Sequence, residues 1–441
     1  MEKLIETEDL YTNFYTFEGT VRALNGVSLV VNHGETYGLV GESGCGKSVT
    51  VRSMMRIVQE PGQIDGGKIL LFFTKEGKSK GMDILARSEA YMRSVRGNDM
   101  SMIFQEASTS LNPVLSIEDQ VGESFFLHRL SEMLETAISQ VEEELGRTRF
   151  FAARWWKGFQ LALFRREHAR LAWRDRQVAE IDDELMRLGL SSDPVSDARR
   201  AFLNERRDSI RKTDRLVQLV KRVPFLRRYN RRVHRVVRQA VIDVMTQLGI
   251  PNPENIADRY PHELSGGMQQ RIVIAIALSC HPALLIADEP TSNLDVTIQA
   301  QIVDLIRRLK QTRISSVLFI THDLGLVAEI CDRVTVMYAG DAAETASVRE
   351  LFKNPLHPYT KGLLNSVPGL ETEGELMTIP GNVPNLVHPP SGCRFHPRCP
   401  YVMPICSEEK PAIVEHSPDH FVACHLYPGS SNRTSLAGSA K

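Results

Sequence analysis

The stretch Gly41-Glu-Ser-Gly-Cys-Gly-Lys47-Ser48 constrains this chain more than any other. Thr36 to Val40, just before it, reads as a strand, and a helical pattern follows. A strand that turns through glycines into a helix leaves backbone N–H groups curled around an anion-sized space. Every fixed position of G-x-x-x-x-G-K-S is filled, in the context that the motif requires. Gly41, Gly44 and Gly46 let the backbone wrap around phosphate oxygens, with Ser43 and Val49 beside them. Lys47 is expected to reach the β- and γ-phosphates of a nucleotide, and Ser48 to ligate Mg²⁺. Cys45 fills a variable position, where packing explains a thiol better than reactivity does.

A loop of this kind needs a buried sheet beneath it. Residues 283–287 (ALLIA) and 317–320 (VLFI) read as short, fully apolar strands separated by helical patterns. They point to an α/β fold with a parallel sheet covered on both faces. The first of these strands ends in Asp288 and Glu289. Asp288 is expected to hold the Mg²⁺ shell, and Glu289 to act as base for an attacking water. Ile272 to Ala287 is the longest apolar stretch. It carries Cys280, His281 and Pro282, and falls short of the ~18 uninterrupted apolar residues of a membrane span. It reads as a buried helix running into a buried strand. The acidic start, MEKLIETEDL, lacks the apolar core of a signal peptide, so a cytosolic protein is expected.

Leu264-Ser265-Gly266-Gly267-Met268-Gln269-Gln270-Arg271 places a hydroxyl and bare N–H groups before a second helix, making another anion site. This run resembles the signature of the ABC ATPases, and four other motifs agree in order. Gln105 in Ile103-Phe104-Gln105 resembles the Q-loop glutamine. The glycine-rich loop and the Asp288-Glu289 strand end take their family places. Ser292-Asn293-Leu294-Asp295 resembles the D-loop, and His322 after Ile320-Thr321 resembles the switch histidine. The resemblance implies a head-to-tail dimer in which Ser265, Gly266, Gly267 and Asp295 of one subunit close on ATP held by another. It implies that Gln105 touches Mg²⁺ and senses the γ-phosphate, and that His322 contacts that phosphate during hydrolysis. An aromatic near the N-terminus is expected to stack on adenine, with Phe14 the choice and Tyr15 the alternative.

Asn354-Pro-Leu-His-Pro-Tyr-Thr-Lys361, Pro380-Gly-Asn-Val-Pro384 and Gly392-Cys393-Arg-Phe-His-Pro-Arg-Cys399-Pro resemble the C-terminal extension of the dipeptide/oligopeptide importer ATPases. That resemblance implies two transmembrane permease subunits and an extracellular substrate-binding protein as partners, with this chain at the cytoplasmic face of the membrane. Cys393, Cys399, Cys406 and Cys424 have the spacing C-x5-C-x6-C-x17-C. Some family members carry a 4Fe-4S cluster here. A zinc ion and unligated thiols are the alternatives, although zinc favours paired short C-x2-4-C spacings that do not occur.

The expected organisation is an ABC ATPase domain over residues 1–340, a basic helical insertion over 128–238, a four-cysteine extension over 341–430 and a disordered tail over 431–441. Residues 145–238 hold 25 Lys/Arg against 11 Asp/Glu, although the whole chain has a formal charge of -1. From Arg149 to Arg166 aromatics mix with arginines at helical spacing. Such a helix either lies on an anionic membrane surface or packs its aromatics in a helical hairpin with solvated arginines. The block would also suit a nucleic-acid-associated ABC ATPase, but those carry two nucleotide domains or long coiled coils, and neither occurs here. No nucleic-acid partner is expected. A non-hydrolysing regulatory subunit would not need Glu289 and His322.

Overall fold

A computed structural model of the chain describes residues 2–75, 78–147, 150–188, 194–210, 227–292, 294–312, 316–366 and 379–427. Its strands, in chain order, are β1 (Lys3–Thr16), β2 (Gly19–Asn32), β3 (Thr36–Val40), β4 (Gly62–Lys75), β5 (Lys78–Asp83), β6 (Met100–Ile103), β7 (Leu284–Asp288), β8 (Ser316–Thr321), β9 (Arg333–Tyr338), β10 (Asp341–Ser347), β11 (Val414–Ser417) and β12 (His420–Val422). The chain divides into two compact units. One comprises Met1–Arg87, Val95–Ser110 and His281–Lys441, the other Ser88–Ser94 and Leu111–Cys280.

The first unit is built on two sheets. β2-β1-β4-β5 is antiparallel, and the larger sheet has the order β11-β12-β10-β9-β3-β8-β7-β6. From β9 to β6 the larger sheet is parallel, as the apolar strands predict. β3, β7 and β8 are buried along their whole length, which is why their sequences do not alternate. β1, β2 and β4 reach 14 residues each, long for strands interrupted by glycines. Bulges let the pairing run on. The register of β1 shifts between Thr7 and Leu10, where Asp9 turns to φ 45°, and the ladder resumes beyond it.

The C-terminal segment continues the same sheet, because β12 pairs with β10 through Glu344↔Val422 and Thr345↔Phe421. A single apolar cluster joins Val40 at the end of β3 to Val334, Val336, Tyr338, Tyr359 and Phe395. The residues that launch the glycine-rich loop therefore share a core with the extension.

The second unit is helical. Gly266–Leu278 is the buried helix expected before β7, with Ile272, Ile274 and Ala275 fully buried. Phe151–Leu188 packs against Leu130–Arg147 and Pro194–Ile210. Of the aromatics expected to pack in this hairpin, Phe164 does so completely. Phe150, Phe151 and Trp155 remain exposed, and Arg149 lies outside the described residues. Arg165 pairs with Glu142 at 2.6 Å and Lys157 with Glu144 at 3.1 Å, so part of the basic face is paired rather than solvated. Among the described residues no helix is long and apolar enough to cross a membrane.

Candidate functional site

The loop after β3 adopts the curvature its sequence predicts. Gly46 has φ 102°, and a Cβ there would stand 2.9 Å from the Ala23 carbonyl oxygen. A Cβ on Gly41 would stand 2.2 Å from the Met337 oxygen. Ser43 and Gly44 are exposed on the rim, and Ser48 and Val49 are half-buried in the first turn of the helix Lys47–Met54. Lys47 is buried. Its Nζ donates to the carbonyls of Gly41 at 2.7 Å and Glu42 at 3.0 Å, arching across the loop. Cys45 is fully buried and burial raises its pKa, so it packs rather than reacts.

β7 delivers the acidic pair. Asp288 Oδ1 accepts the Ser48 hydroxyl at 2.9 Å. Its other oxygen is buried with no protein partner among the described residues. Burial raises its pKa, offset in part by Ser48. A carboxylate oxygen left without a partner beside a hydroxyl fits Mg²⁺, which takes few protein ligands and completes its shell with phosphates and water. Glu289 turns out of the strand at φ 46°, an uncommon conformation for a residue with a side chain. Its N–H stays on the Ile320 carbonyl at 3.0 Å, anchoring it to β8. The carboxylate receives Gln105 Nε2 at 3.0 Å and stands 3.4 Å from His322 Nδ1. Ser292 Oγ donates to the Gln105 carbonyl at 2.7 Å, so the D-loop braces the Q-loop.

Gln105, Glu289 and His322, separated by up to 217 positions, thus meet around one carboxylate. The Gln105 side-chain amide is held on Glu289. Asp295 caps the helix Val296–Thr312 by accepting the Ile298 N–H, and Asn293 lies outside the described residues. Ser265 is an exposed N-cap whose side chain makes no capping bond, and Gly266 has open space where a Cβ would stand. Both belong to the helical unit. Phe14 is half-buried with its ring beside Gly62, whereas Tyr15 is half exposed and donates its hydroxyl to Asp65.

The family model described as ABC transporter matches residues 24–292, and that described as oligopeptide/dipeptide transporter, C-terminal region, matches residues 343–406. This chain belongs to the ABC transporter ATP-binding proteins of the dipeptide/oligopeptide family. The ATPase is 36% identical over 443 residues to the dipeptide transport ATP-binding protein DppD of Bacillus subtilis, covering 100% of both chains. It is 38% identical over 432 residues to a putative peptide import ATP-binding protein of Brucella ovis, covering 96% of this chain and 97% of that one. Against the oligopeptide transport ATP-binding protein OppD of B. subtilis it is 35% identical over 427 residues, covering 96% and 89%.

The cysteine expectation fares less well than the ATP motifs. Among the described residues no three His, Cys, Asp or Glu side chains converge to hold a metal ion, so neither zinc nor a cluster gains support from the side-chain arrangement. Cys393, Cys399 and Cys424 are desolvated, which raises their pKa, and neighbouring thiols add to the rise. At Cys393 the pKa is pushed up to about 11. The Cys393 N–H also donates to the Cys406 carbonyl at 2.8 Å.

Two residues around the loop escaped the sequence reading. Arg398 forms a two-pronged pair with Glu42, and the Tyr359 hydroxyl accepts the Glu42 N–H. Their only signal is indirect. Arg398 lies inside the cysteine motif and Tyr359 inside Asn354–Lys361, both recognisable as family segments but with no local pattern that names their target.

Proposed function

We propose that the ATPase is the motor of a peptide importer at the cytoplasmic face of a cell membrane. The observation that carries this reading is the Glu289 carboxylate, held by Gln105 and His322 next to the Ser48–Asp288 pair. On ATP binding, Lys47 exchanges two loop carbonyls for the β- and γ-phosphates, while Ser48, Asp288 and Gln105 serve the Mg²⁺ shell. Glu289 accepts the proton of the attacking water, and His322 steadies the γ-phosphate. Phe14 stacks on adenine. Ser265, Gly266, Gly267 and Asp295 serve the nucleotide of a second ATPase subunit, a copy or a paralogue, in a head-to-tail dimer. Two permease subunits and an external binding protein complete the machine, with no role for nucleic acid.

The peptide assignment draws on the names of the relatives and on the C-terminal family match. Its test is the ATPase assembled in vesicles with its permeases and partner ATPase. Peptide-loaded binding protein should raise ATP hydrolysis and drive labelled peptide inward. Uptake of nickel or an oligosaccharide instead would overturn the substrate, and absence of Mg²⁺-dependent hydrolysis would overturn the motor.

The same proposal places a 4Fe-4S cluster on Cys393, Cys399, Cys406 and Cys424. It rests on four thiol donors in one short segment and on their mutual influence. Zinc sites favour paired short C-x2-4-C spacings, which these four cysteines lack. Anaerobically purified protein should carry about four irons per chain and absorb broadly near 400 nm. One zinc per chain, or no metal, would remove the cluster.

A further inference from the structure

We infer that Arg398 and Tyr359 are positioning residues for the phosphate-binding loop, so that the C-terminal extension is part of the nucleotide site. The inference rests on the ATP-site reading above and adds to it residues outside the ATP motifs.

Glu42 follows the first glycine of the loop and is gripped twice. Arg398 Nη1 meets Oε2 at 2.8 Å and Nη2 meets Oε1 at 3.2 Å, fork against fork. The Glu42 N–H donates to the Tyr359 hydroxyl at 2.9 Å. Neither grip is free to drift. The Arg398 side chain is 6% exposed, and it also donates to the carbonyls of Pro380 at 2.9 Å and Ile379 at 3.3 Å. Its guanidinium lies over the Tyr338 ring. Tyr359 is fully buried, with its ring centroid 4.6 Å from Tyr338 and 5.4 Å from Phe395.

What is gripped matters for the chemistry. The carbonyls of Gly41 and Glu42 are the pair that hold the Lys47 ammonium. Arg398 and Tyr359 therefore fix the peptide units from which the catalytic lysine departs and around which the loop N–H groups converge. A second brace acts on the same loop. Arg394 donates to the Ala339 carbonyl and to the Arg22 carbonyl, and the Gly340 N–H that follows donates to the Cys45 carbonyl at 2.9 Å. A loop already ordered in its binding shape loses less conformational freedom when ATP arrives. None of these contacts touches Gln105, Glu289 or His322, so they should act on nucleotide affinity and leave the hydrolytic step alone.

The test is ATP affinity and steady-state hydrolysis of the full-length ATPase and its variants. Arg398→Met should raise the Kd and KM for ATP about tenfold through lost loop ordering, with kcat at saturating ATP kept within about twofold. Arg398→Lys keeps the charge but loses the fork, and should fall between. Adding Glu42→Gln to Arg398→Met should cost little more, because the partner is already gone. Tyr359→Phe removes only the acceptor. It should raise the Kd several-fold, and it carries the test if Arg398→Met does not fold. Folded Arg398→Met and Tyr359→Phe proteins that bind ATP as the parent does would overturn the inference. So would a loss confined to kcat. Failure of the parent itself to bind ATP would instead sink the ATP-site reading.

Discussion

Lys47 is buried and bonded to two carbonyls that ATP would have to replace with phosphate oxygens. Lys47→Ala should therefore weaken ATP binding by about 1.5–3 kcal/mol, roughly ten- to a hundredfold, as expected for charged hydrogen bonds. Titration with a fluorescent ATP analogue reads this directly, and an unchanged Kd would remove the lysine from the site. The adenine end is decided the same way. Phe14 offers a half-buried ring, while Tyr15 is already tied to Asp65 through its hydroxyl. Phe14→Ala should cost about 1 kcal/mol of ATP binding, a stacked ring's worth. A loss on Tyr15→Ala but not on Phe14→Ala would move the stacking role to Tyr15. Lys47 was legible from sequence because its neighbours along the chain are its neighbours in space. The Arg398–Glu42 pair was not, since its partners are 356 residues apart and meet only because β9, β10 and the extension share a core.

At the scale of elements, the extension hangs on a buried polar knot. Glu344 in β10 accepts the N–H groups of Leu356 at 2.9 Å and His357 at 2.8 Å and a hydrogen bond from His420 at 2.7 Å. Burial alone would raise its pKa, but these bonds hold it below the usual carboxylate value. His357 caps the helix Pro358–Asn365 through its Nδ1, and burial pushes its pKa down from 6.5 to about 4. The unfolded chain takes up a proton near 6.5 that the folded chain refuses until about 4. Stability present above 6.5 is therefore lost as the pH falls through that window, by at most ~3 kcal/mol. Glu344 adds a loss of the same sign below its unfolded value. Urea midpoints between pH 7 and 4 should fall with pH in the parent, and His357→Asn should flatten the slope. An identical slope in the variant would take His357 out of the account. The strands of the parallel sheet were readable as apolar runs because both their faces are covered. The length of β1 and β2 was not, because a bulge at Asp9 looks like a strand end to any pattern of period two.

For the whole molecule, five short motifs in order sufficed to identify an ABC cassette, because each is a run of neighbouring residues that can be read locally. The helical hairpin shows the opposite case. Its aromatics favoured packing over a membrane surface, and the structure buries Phe164 while leaving Trp155 at the surface. The four cysteines have the count of a metal centre without a side-chain arrangement that supports one. If the proposed function holds, this chain hydrolyses ATP with Glu289 as base for the attacking water. The most direct test compares the parent with Glu289→Gln in the assembled transporter, measuring ATP binding and phosphate release together. Glu289→Gln should keep ATP affinity within about twofold of the parent, lower turnover about a hundredfold or more and accumulate an ATP-bound dimer, because the carboxylate serves the water and not the phosphates. Phosphate release at the parent rate from a folded, assembled Glu289→Gln transporter would contradict it.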